Sequence, residues 1–242
     1  MSASTQPTIA EQKEFWNWHW QHWQDRKTVN EWKQTRHERV LAFLASLSLH
    51  QPAILDVGCG PGWYTDTLRR FGPVTGIDLS EEAITIAKSR FPEIHFIAGN
   101  FYELALQNQF DLVVSQEVID HVEDQPKFVQ RAAQVLKPGG HLILSATNKF
   151  VMDRVGDSFP EQPPQHISRY MDRRTLKRML QPYFSWIRSE TIIPLGHEGI
   201  LRAVNSPKVN RLIGTFIPTR RLDRVKEIAG LGYQIIVVAK LK

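Results

Sequence analysis

A glycine-rich segment after the first apolar run constrains the fold of this chain most. The short apolar run Ala53–Val57 is followed by three glycines in five positions, Gly58, Gly60 and Gly62. An apolar run that ends in glycines is typical of a buried parallel strand. Glycines let the backbone turn tightly and approach a ligand closely, and a following helix offers unpaired N–H groups. The segment therefore predicts a strand, a ligand-binding loop and a helix in succession.

Apolar runs alternate with amphipathic segments along the rest of the chain. We expect strands at Ala53–Val57, Val74–Asp78, Ile94–Ala98, Asp111–Ser115, His141–Ala146, Trp186–Ile193 and Ile235–Ala239. We expect helices at Glu11–Lys27, Asn30–Leu49, Thr65–Arg70, Glu81–Ser89, Lys127–Leu136 and Arg173–Leu180. Ser80 and Asp172 are expected to be N-caps, and Lys137–Gly140 is expected to be a turn. Strands and helices that alternate over short links indicate a parallel sheet with helices on both faces.

The predicted elements also suggest how the chain is divided. Residues 1–49 are expected to form an N-terminal helical segment, and residues 50–242 one α/β domain. Roughly forty residues separate the last two predicted strands, which is too long for a plain connection. We therefore expect an insertion at about 195–232, which together with about 150–182 would cover a bound substrate.

The composition excludes several classes of protein. Apolar residues make up 42% and charged residues 23% of the 242 residues, as in ordinary packed proteins. The single Cys59 cannot form an internal disulfide, and no stretch approaches the roughly 20 apolar residues that span a bilayer. No signal-peptide pattern marks the N-terminal segment. We expect a cytoplasmic protein.

Charge is unevenly distributed along the chain. Residues 1–150 carry 14 basic and 17 acidic side chains, whereas residues 151–242 carry 16 basic and 8 acidic ones. Two basic clusters comprise Arg169, Arg173, Arg174, Lys177 and Arg178, and then Arg220, Arg221, Arg224 and Lys226. They are compatible with a solvated face, peripheral contact with an anionic membrane, or contact with RNA. We rank the membrane above nucleic acid, which we do not expect as a partner, because no recognised RNA-binding module is present.

Tryptophan is concentrated near the N-terminus. Five of the seven tryptophans are Trp16, Trp18, Trp20, Trp23 and Trp32. Such a stripe on a helix usually seals the helix against a core. The alternative is a lid over a cationic ligand, because aromatic faces attract cations, and Trp20 is our candidate for that contact.

Two acidic residues beside the glycine loop indicate the kind of ligand. Asp78 ends the second predicted strand, twenty residues after Gly58, where a carboxylate can accept both hydroxyls of a ribose. The dinucleotide fingerprint requires a sixth-position glycine, but Trp63 stands there. Asp56 would oppose a pyrophosphate and would suit an ammonium group. A cationic nucleoside with an amino-acid tail satisfies these conditions, and S-adenosylmethionine is such a molecule.

Five motifs carry a resemblance to a known family. They are Ile54–Gly62, Gly76–Ser80, Phe110–Ser115, Glu117–Val122 and Leu136–Gly140. In this order they resemble class I S-adenosylmethionine-dependent methyltransferases over roughly residues 50–148, and are most similar to small-molecule O-methyltransferases of the ubiquinone-biosynthesis type. The resemblance implies a Rossmann-like, seven-stranded, mostly parallel sheet with an antiparallel last strand. We further expect an N-terminal helical lid and an insertion between the sixth and seventh strands to cover the active site.

The resemblance assigns roles in binding the methyl donor. It places Asp56 and the backbone of Gly58, Gly60 and Gly62 at the methionine end, Asp78 and Leu79 at the ribose, Asn100 and Phe101 at the adenine, and Gln116 beneath the sulfonium. Relatives often carry Asp at position 100, and Asn can still accept through its carbonyl oxygen.

Several side chains are candidates for contact with the methyl acceptor. An acceptor hydroxyl must lose a proton, and we consider His121 and His166 as bases because histidine titrates near neutral pH. Tyr170 and His197 are candidate acceptor contacts. Each histidine also has a purely structural interpretation, as a ring that bonds nearby backbone. No cluster has metal-ligand spacing, so we expect no metal.

The sequence therefore predicts transfer of a methyl group to an oxygen of a small acceptor, either amphiphilic or anionic. The alternatives are an RNA or protein methyltransferase, and a non-catalytic module that binds S-adenosylmethionine. The sequence does not identify the acceptor or the oligomeric state.

Overall fold

The computed structural model describes residues 7–22, 31–106, 109–155, 167–215 and 218–242. Within these residues, seven strands form one sheet in the order β3-β2-β1-β4-β5-β7-β6. The strands are β1 (Ile54–Val57), β2 (Val74–Asp78), β3 (His95–Ala98), β4 (Phe110–Gln116), β5 (Leu136–Thr147), β6 (Phe184–Pro194) and β7 (Gly232–Leu241).

The strand directions agree with the sequence prediction. β1 pairs in parallel with β2 and β4, and parallel pairs also join β2 to β3 and β4 to β5. β7 is antiparallel to both β5 and β6. The seven-stranded, mostly parallel, Rossmann-like sheet is thus confirmed. The strand order reverses between β1 and β4, and open α/β sheets form their ligand crevice beside such a point, outside the carboxyl ends of the strands.

Helices connect the strands, and their N-caps follow the sequence. The helices are α1 (Ile9–His22), α2 (Glu31–Ser46), α3 (Trp63–Leu68), α4 (Glu81–Arg90), α5 (Gln125–Val135), α6 (Lys149–Met152), α7 (Arg173–Leu180), α8 (Gly199–Val204), α9 (Pro207–Gly214) and α10 (Thr219–Ile228), with a 3₁₀ turn at Ile119–His121. Ser80 accepts from the N–H of Ala83, and Asp172 accepts from that of Thr175. Both predicted N-caps are confirmed.

The N-terminal helices differ in extent from the prediction. α2 ends at Ser46 rather than Leu49, because the N–H of Leu47 bonds the carbonyl of Leu44 and Ser48 takes a positive φ of 51°. α1 is described to His22, and the remainder of the predicted helix lies outside the described residues.

The expected turn at Lys137–Gly140 is part of a strand. β5 starts at Leu136, which pairs with Phe110, and the next paired residues are His141 and Leu112. Residues 137–140 therefore form an irregular bulge, and Gly139 supplies a positive φ of 74°. The prediction was wrong about where the strand begins, because pairing with β4 holds Leu136 in the sheet.

Buried clusters cover both faces of the sheet. Leu112 and Val114 of β4 belong to the same apolar cluster as Val40 of α2. The alternate residue Val113 belongs to a second cluster with Phe128 of α5. Since successive side chains of a strand point to opposite faces, α2 and α5 lie on opposite faces of the sheet. Helices on both faces are thereby confirmed.

The connection between β6 and β7 is an insertion, as its length suggested, and its described residues form three helices. α8, α9 and α10 follow one another there, and α10 packs against β6. The hydroxyl of Thr191 in β6 donates to the carbonyl of Glu227 in α10 at 2.6 Å. The insertion is therefore attached to the edge strand of the sheet through its last helix.

A buried carboxylate joins α2, β6 and α10. Glu190 of β6 is 4% exposed, and it pairs with Arg39 of α2, Arg188 of β6 and Arg224 of α10. Glu227 of α10 pairs with Arg224 at 3.0 Å and with Arg39 at 3.3 Å. Burial raises the pKa of Glu190, but hydrogen bonds from the three guanidiniums outweigh it and lower the pKa to about 2.

We predict that Glu190→Gln destabilises the fold by about 3 kcal/mol at pH 7, because three guanidiniums lose a buried charged partner. The carboxylate stabilises the native state fully above its ordinary pKa of 4.5, and this contribution disappears as pH falls to about 2. Urea unfolding at pH 7 and pH 3 measures the difference. Glu81→Gln, at an exposed ion pair with Lys13, is the control and should cost under about 1 kcal/mol. Equal losses in both variants would contradict the prediction.

Candidate functional site

The candidate site lies at the carboxyl edge of the parallel strands. The glycine loop follows β1, Asp78 ends β2, Asn100 follows β3 and Glu117 follows β4. Because carboxyl ends of neighbouring parallel strands meet at one edge, these segments come together there. α1 contacts this edge through the loop and the start of α4, and α2 contacts it through side chains described below.

Asp56 is a buried carboxylate beneath the glycine loop. It is 3% exposed and accepts a hydrogen bond of 2.7 Å from the hydroxyl of Thr65. Burial raises its pKa to about 6, the Thr65 hydrogen bond opposes the rise, and the charge of Asp78 adds to it. A nearby cation would lower this pKa and stabilise the carboxylate. The position thus favours a positively charged ligand group.

Asp78 joins the glycine loop to the start of α4. One carboxylate oxygen accepts from the N–H of Gly60 and the other from the N–H of Ser80, both at 2.9 Å. Burial raises the pKa of Asp78, and these backbone hydrogen bonds oppose the rise. An ionised carboxylate has about four acceptor positions, so capacity remains for ligand hydroxyls.

The three glycines of the loop have different neighbours. All have positive φ, at 73° for Gly58, 52° for Gly60 and 82° for Gly62. A Cβ at Gly58 would lie 2.1 Å from Val118, and a Cβ at Gly62 would lie 2.8 Å from Phe96. These two positions are crowded by the protein itself. Of the three glycines, we therefore expect a ligand to approach the backbone most closely at Gly60. The nearest side-chain atoms there belong to Trp20 of the N-terminal helix α1.

α1 is fastened over this loop. The carbonyl oxygen of the Asn17 side chain accepts from the hydroxyl of Ser80 at 2.8 Å, and Gln21 donates to Glu82 at 2.9 Å. These contacts bring the indole of Trp20 to 3.0 Å from the position of a Gly60 Cβ. The structure thus places the predicted lid residue against the loop.

The other tryptophans are distributed among different surroundings. The Trp16 ring lies 5.7 Å from the ring of His121, whereas Trp18 is 51% exposed. Trp32 packs against Tyr233, with ring centroids 5.7 Å apart, and Trp23 lies outside the described residues. The cluster is therefore neither a single core stripe nor a single lid surface.

The residues expected at the adenine have internal partners. The side-chain amide of Asn100 donates to Glu103 at 2.8 Å, and its carbonyl oxygen accepts from the N–H of Tyr102 at 3.1 Å. Phe101 is buried and lies 5.4 Å from the ring of Phe128. Asn100 stabilises the turn after β3, and its contact with adenine stays a prediction.

α2 brings a histidine to the predicted sulfonium residue. The Gln116 amide lies 3.2 Å from Nδ1 of His37, and the Gln116 oxygen is buried without a partner in the described part of the chain. His37 stacks on Tyr64 at 4.1 Å and also bonds the hydroxyl of Thr67. Burial lowers the pKa of His37 to about 4, so the ring is neutral at pH 7. A neutral Nδ1 accepts the amide hydrogen of Gln116.

Glu117 is a site residue that sequence reasoning missed. It has a positive φ of 59°, which is uncommon for a residue with a side chain. Its carboxylate accepts from Ser145 at 3.1 Å, from Thr147 at 3.4 Å and from Gln234 at 3.0 Å. The signal in the sequence was its place directly after a strand, in the motif that also contains His121.

Arg36 is a second missed residue. It is 6% exposed, its Nη1 lies 3.8 Å from Glu117, and its Nε is buried without a hydrogen-bond partner among the described residues. A buried guanidinium N–H without a partner is rare, and a carboxylate is its preferred ligand. The helical pattern hid this residue, because Arg36 lies one turn before Val40 on the buried face of α2.

The imidazole of His121 is oriented by the linker after β5. Its Nδ1 lies 2.7 Å from the carbonyl oxygen of Ile167. Since a carbonyl only accepts, Nδ1 carries the hydrogen and Nε2 of the neutral ring is a free acceptor. The neighbouring Asp120 is buried, and burial together with the charge of Glu117 holds its pKa well above the usual range.

The remaining predicted acceptor residues are Tyr170, His197 and His166. Tyr170 is half-buried, and its charge is a smaller cause of the raised pKa of Tyr233 than burial and the charge of Glu117. His197 is exposed before α8, and its N–H bonds the carbonyl of Arg154 at 3.0 Å. His166 lies outside the described residues.

The described ranges contain neither a metal-binding cluster nor a membrane-spanning helix. No group of three or more His, Cys, Asp or Glu there could hold a metal ion. No helix among those residues has the length and apolar character to cross a membrane.

Comparison with known proteins indicates the family of this chain. Residues 55–144 match the family model described as a methyltransferase domain. The ubiquinone biosynthesis O-methyltransferase of Hydrogenovibrio crunogenus is 34% identical over 109 residues, which is 42% of this chain and 45% of that protein. The ubiquinone biosynthesis O-methyltransferase of Cronobacter sakazakii is 30% identical over 173 residues, which is 65% of this chain and 67% of that protein. The chain thus spans between about half and two thirds of these relatives.

The fold has relatives among solved structures. An S-adenosylmethionine-dependent methyltransferase from Mesorhizobium loti superposes with a TM-score of 0.57 at 22% identity, covering 82% of this chain and 96% of that one. At this identity the likeness concerns the fold. The likeness of fold, the sequence relatives, and the carboxylates of Asp56 and Asp78 beside the glycine loop all indicate the same family. The chain belongs to the class I S-adenosylmethionine-dependent methyltransferases.

Proposed function

We propose that the protein transfers a methyl group from S-adenosylmethionine to an oxygen of a small acceptor. The observation that carries the proposal is the presence of two buried charges of opposite sign in the candidate site: the carboxylate of Asp56, and the guanidinium of Arg36, whose Nε has no hydrogen-bond partner among the described residues. These charges complement the ammonium and carboxylate groups of the donor's amino-acid end. The relatives named O-methyltransferase support oxygen as the atom that is methylated.

The rest of the donor is proposed to lie along the same edge. Asp78 and the backbone of Leu79 would hold the ribose, because Asp78 keeps acceptor capacity beyond its two backbone hydrogen bonds. Asn100 and Phe101 would contact the adenine after β3. Gln116 would lie beneath the sulfonium, where its buried oxygen has no partner among the described residues. Gly60 and Trp20 would enclose the methionine end, and closure would exclude water.

The proposed chemistry requires little covalent participation by the protein. When bound, S-adenosylmethionine supplies a methyl group that its sulfonium has already activated. Nε2 of His121 would accept the proton of the acceptor hydroxyl, since Nδ1 is committed to Ile167. Glu117 would orient the acceptor through a hydroxyl hydrogen bond. Tyr170 and His197 remain proposed acceptor contacts, with His166 as an alternative base.

The reaction is tested with labelled donor and a fractionated cell extract. We expect label in a small molecule as an acid-stable methyl ether. His121→Asn should lower the transfer rate by about two orders of magnitude, because a positioned base contributes at least that much. The control is His95→Asn, at an exposed position at the start of β3. Label in RNA or protein would contradict the proposal, and binding of S-adenosylhomocysteine without any labelled product would support the non-catalytic alternative.

The donor assignment is tested separately by calorimetry. We expect Arg36→Gln to weaken S-adenosylhomocysteine about tenfold, because one charge-assisted hydrogen bond contributes roughly 1.4 kcal/mol or more. The same variant should bind 5′-methylthioadenosine, which lacks the amino-acid tail, as tightly as the native protein does.

Asp78→Asn should weaken both ligands in that experiment, since both carry the ribose. The control variant is Arg69→Gln, whose side chain is exposed and pairs with Asp66. Equal weakening of both ligands by Arg36→Gln would show that Arg36 does not bind the carboxylate.

We also propose peripheral contact with an anionic membrane through the insertion. α8, α9 and α10 expose the apolar side chains of Ile200, Leu212, Val225 and Ile228, each 60% exposed or more. Lys208 and Arg211 lie on α9 beside Leu212. Apolar side chains next to cations suit a membrane interface and an amphiphilic acceptor.

This contact is tested by liposome flotation. We expect retention on vesicles that contain phosphatidylglycerol and none on phosphatidylcholine alone, because the cations require anionic headgroups. The double variant Leu212→Ser, Ile228→Ser should lower retention severalfold, because it removes apolar area that would be buried in the membrane interface. The matched control is Ile187→Ser, at an exposed apolar position in β6. Equal retention on both vesicle types would contradict the proposal.

A further inference from the structure

A second cavity lies between α2 and α10. It is separate from the carboxyl edge of the parallel strands where we propose that the donor binds, which we call the donor edge. The cavity is open to solvent and has a volume of about 870 Å³, within the range of small-molecule sites. β6 contributes its floor through Arg188 and Glu190, and Phe43, Ile193 and Pro194 supply apolar wall. The donor residues Asp56 and Asp78 are not part of its lining.

The cavity carries an excess of guanidinium groups. Its lining contains Arg39, Arg188, Arg220, Arg221 and Arg224. It also contains Glu190, Asp223 and Glu227. Five cations against three carboxylates leave the lining with a net positive charge. Two of the five arginines carry this excess. Arg220 and Arg221 form no ion pair with any described residue, whereas the other three arginines are held by Glu190 and Glu227.

The ion-paired arginines form a fixed wall. Glu190 is almost fully buried and holds guanidiniums from α2, β6 and α10. Arg188 also stacks on Phe43, with 4.9 Å from its guanidinium carbon to the ring centroid. Side chains that are already held in place lose little entropy when they bind a ligand.

The start of α10 adds a second reason for an anion. Arg220 and Arg221 occupy its first turn, which contains no acidic residue, and Pro218 at the N-cap offers no side-chain hydrogen bond. Cations at this end oppose the helix dipole, so the arrangement disfavours the isolated helix. An anion against the first turn would pair with both guanidiniums and with the helix dipole. Residues that oppose the preferences of their own helix, as two cations at a helix N-terminus do, are often functional.

We propose that this cavity is a binding site for a phosphate-bearing anion, held by Arg220 and Arg221 at the start of α10. Arginine recognises phosphate with paired, parallel hydrogen bonds, and two adjacent unpaired guanidiniums suit a diphosphate or a phosphomonoester. The phosphate is that of a soluble molecule or of a lipid headgroup, since both present the same chemistry. The site does not depend on the donor edge or on the proposed reaction.

The experiment titrates the full-length protein with pyrophosphate by calorimetry at constant ionic strength. We expect saturable binding with one pyrophosphate per chain, unchanged by saturating S-adenosylhomocysteine, because the two sites share no lining residue. Arg220→Gln with Arg221→Gln should weaken this binding at least tenfold. The matched control is Arg174→Gln with Arg178→Gln, which removes the same two charges from exposed positions on α7.

A second arm uses vesicles with phosphatidic acid. If pyrophosphate binds and the Arg220→Gln, Arg221→Gln variant loses this binding, the ligand is a soluble phosphate. If only the vesicles bind and the same variant loses that binding, the ligand is a lipid headgroup. Circular dichroism and the thermal midpoint verify that both double variants fold. The proposal is overturned if neither probe binds, if both double variants lose binding equally, or if S-adenosylhomocysteine displaces pyrophosphate.

Discussion

The candidate site depends on the hydrogen bonds around Asp78. Its carboxylate accepts from Gly60 in the loop and from Ser80 before α4, so two segments that would bind the donor share one anchor. Ser80 in turn caps α4 and donates to Asn17 of α1. The loop, the carboxylate of Asp78 and the N-terminal helix α1 are thereby connected. Substitutions at Asp78 consequently act both on the conformation of the loop and on the position of α1.

Helix α2 links regions that are far apart in the sequence. Arg36 and His37 extend towards the donor edge, Val40 packs on the sheet, and Arg39 reaches Glu190 in the second cavity. A helix presents successive side chains around its axis, so one buried helix can line two sites. The donor edge and the arginine-lined cavity therefore share a rigid element without sharing a lining residue.

Sequence reasoning succeeded where local chemistry decides the structure. The helix at Arg173–Leu180 and the strand at Val74–Asp78 have the predicted limits, because an N-cap and a short apolar run determine them within a few residues. The mostly parallel sheet and its antiparallel last strand followed from the family resemblance, whereas the strand order was not predicted. The bulge before His141 was missed, since pairing with β4 rather than local turn chemistry determines where β5 begins.

The site was only partly predictable, because some of its contacts join residues that are far apart in the sequence. Asp56 and Asp78 stand beside a loop whose spacing is visible in the sequence. Arg36 and Glu117 are 81 positions apart, and only the fold brings Nη1 of one to 3.8 Å from the other. A buried charge on an amphipathic helix looks like ordinary packing until its partner is known. The tryptophans show the same limit, since the stripe does not reveal which ring faces the loop.

The basic character of the chain has a local cause. After residue 150, Arg188 and Arg224 are ion-paired with Glu190 and Glu227, which also hold Arg39 of α2. Ion-paired cations attract a further anion less than unpaired ones do, so the attraction of this region for anions depends on its unpaired cations. Arg220 and Arg221 face the second cavity, whereas Lys208 and Arg211 accompany exposed apolar side chains on α9. These two groups of cations differ in their surroundings, one in a cavity and one on an apolar surface. A phosphate group and a membrane interface are accordingly distinct ligands, which side-chain substitutions can separate.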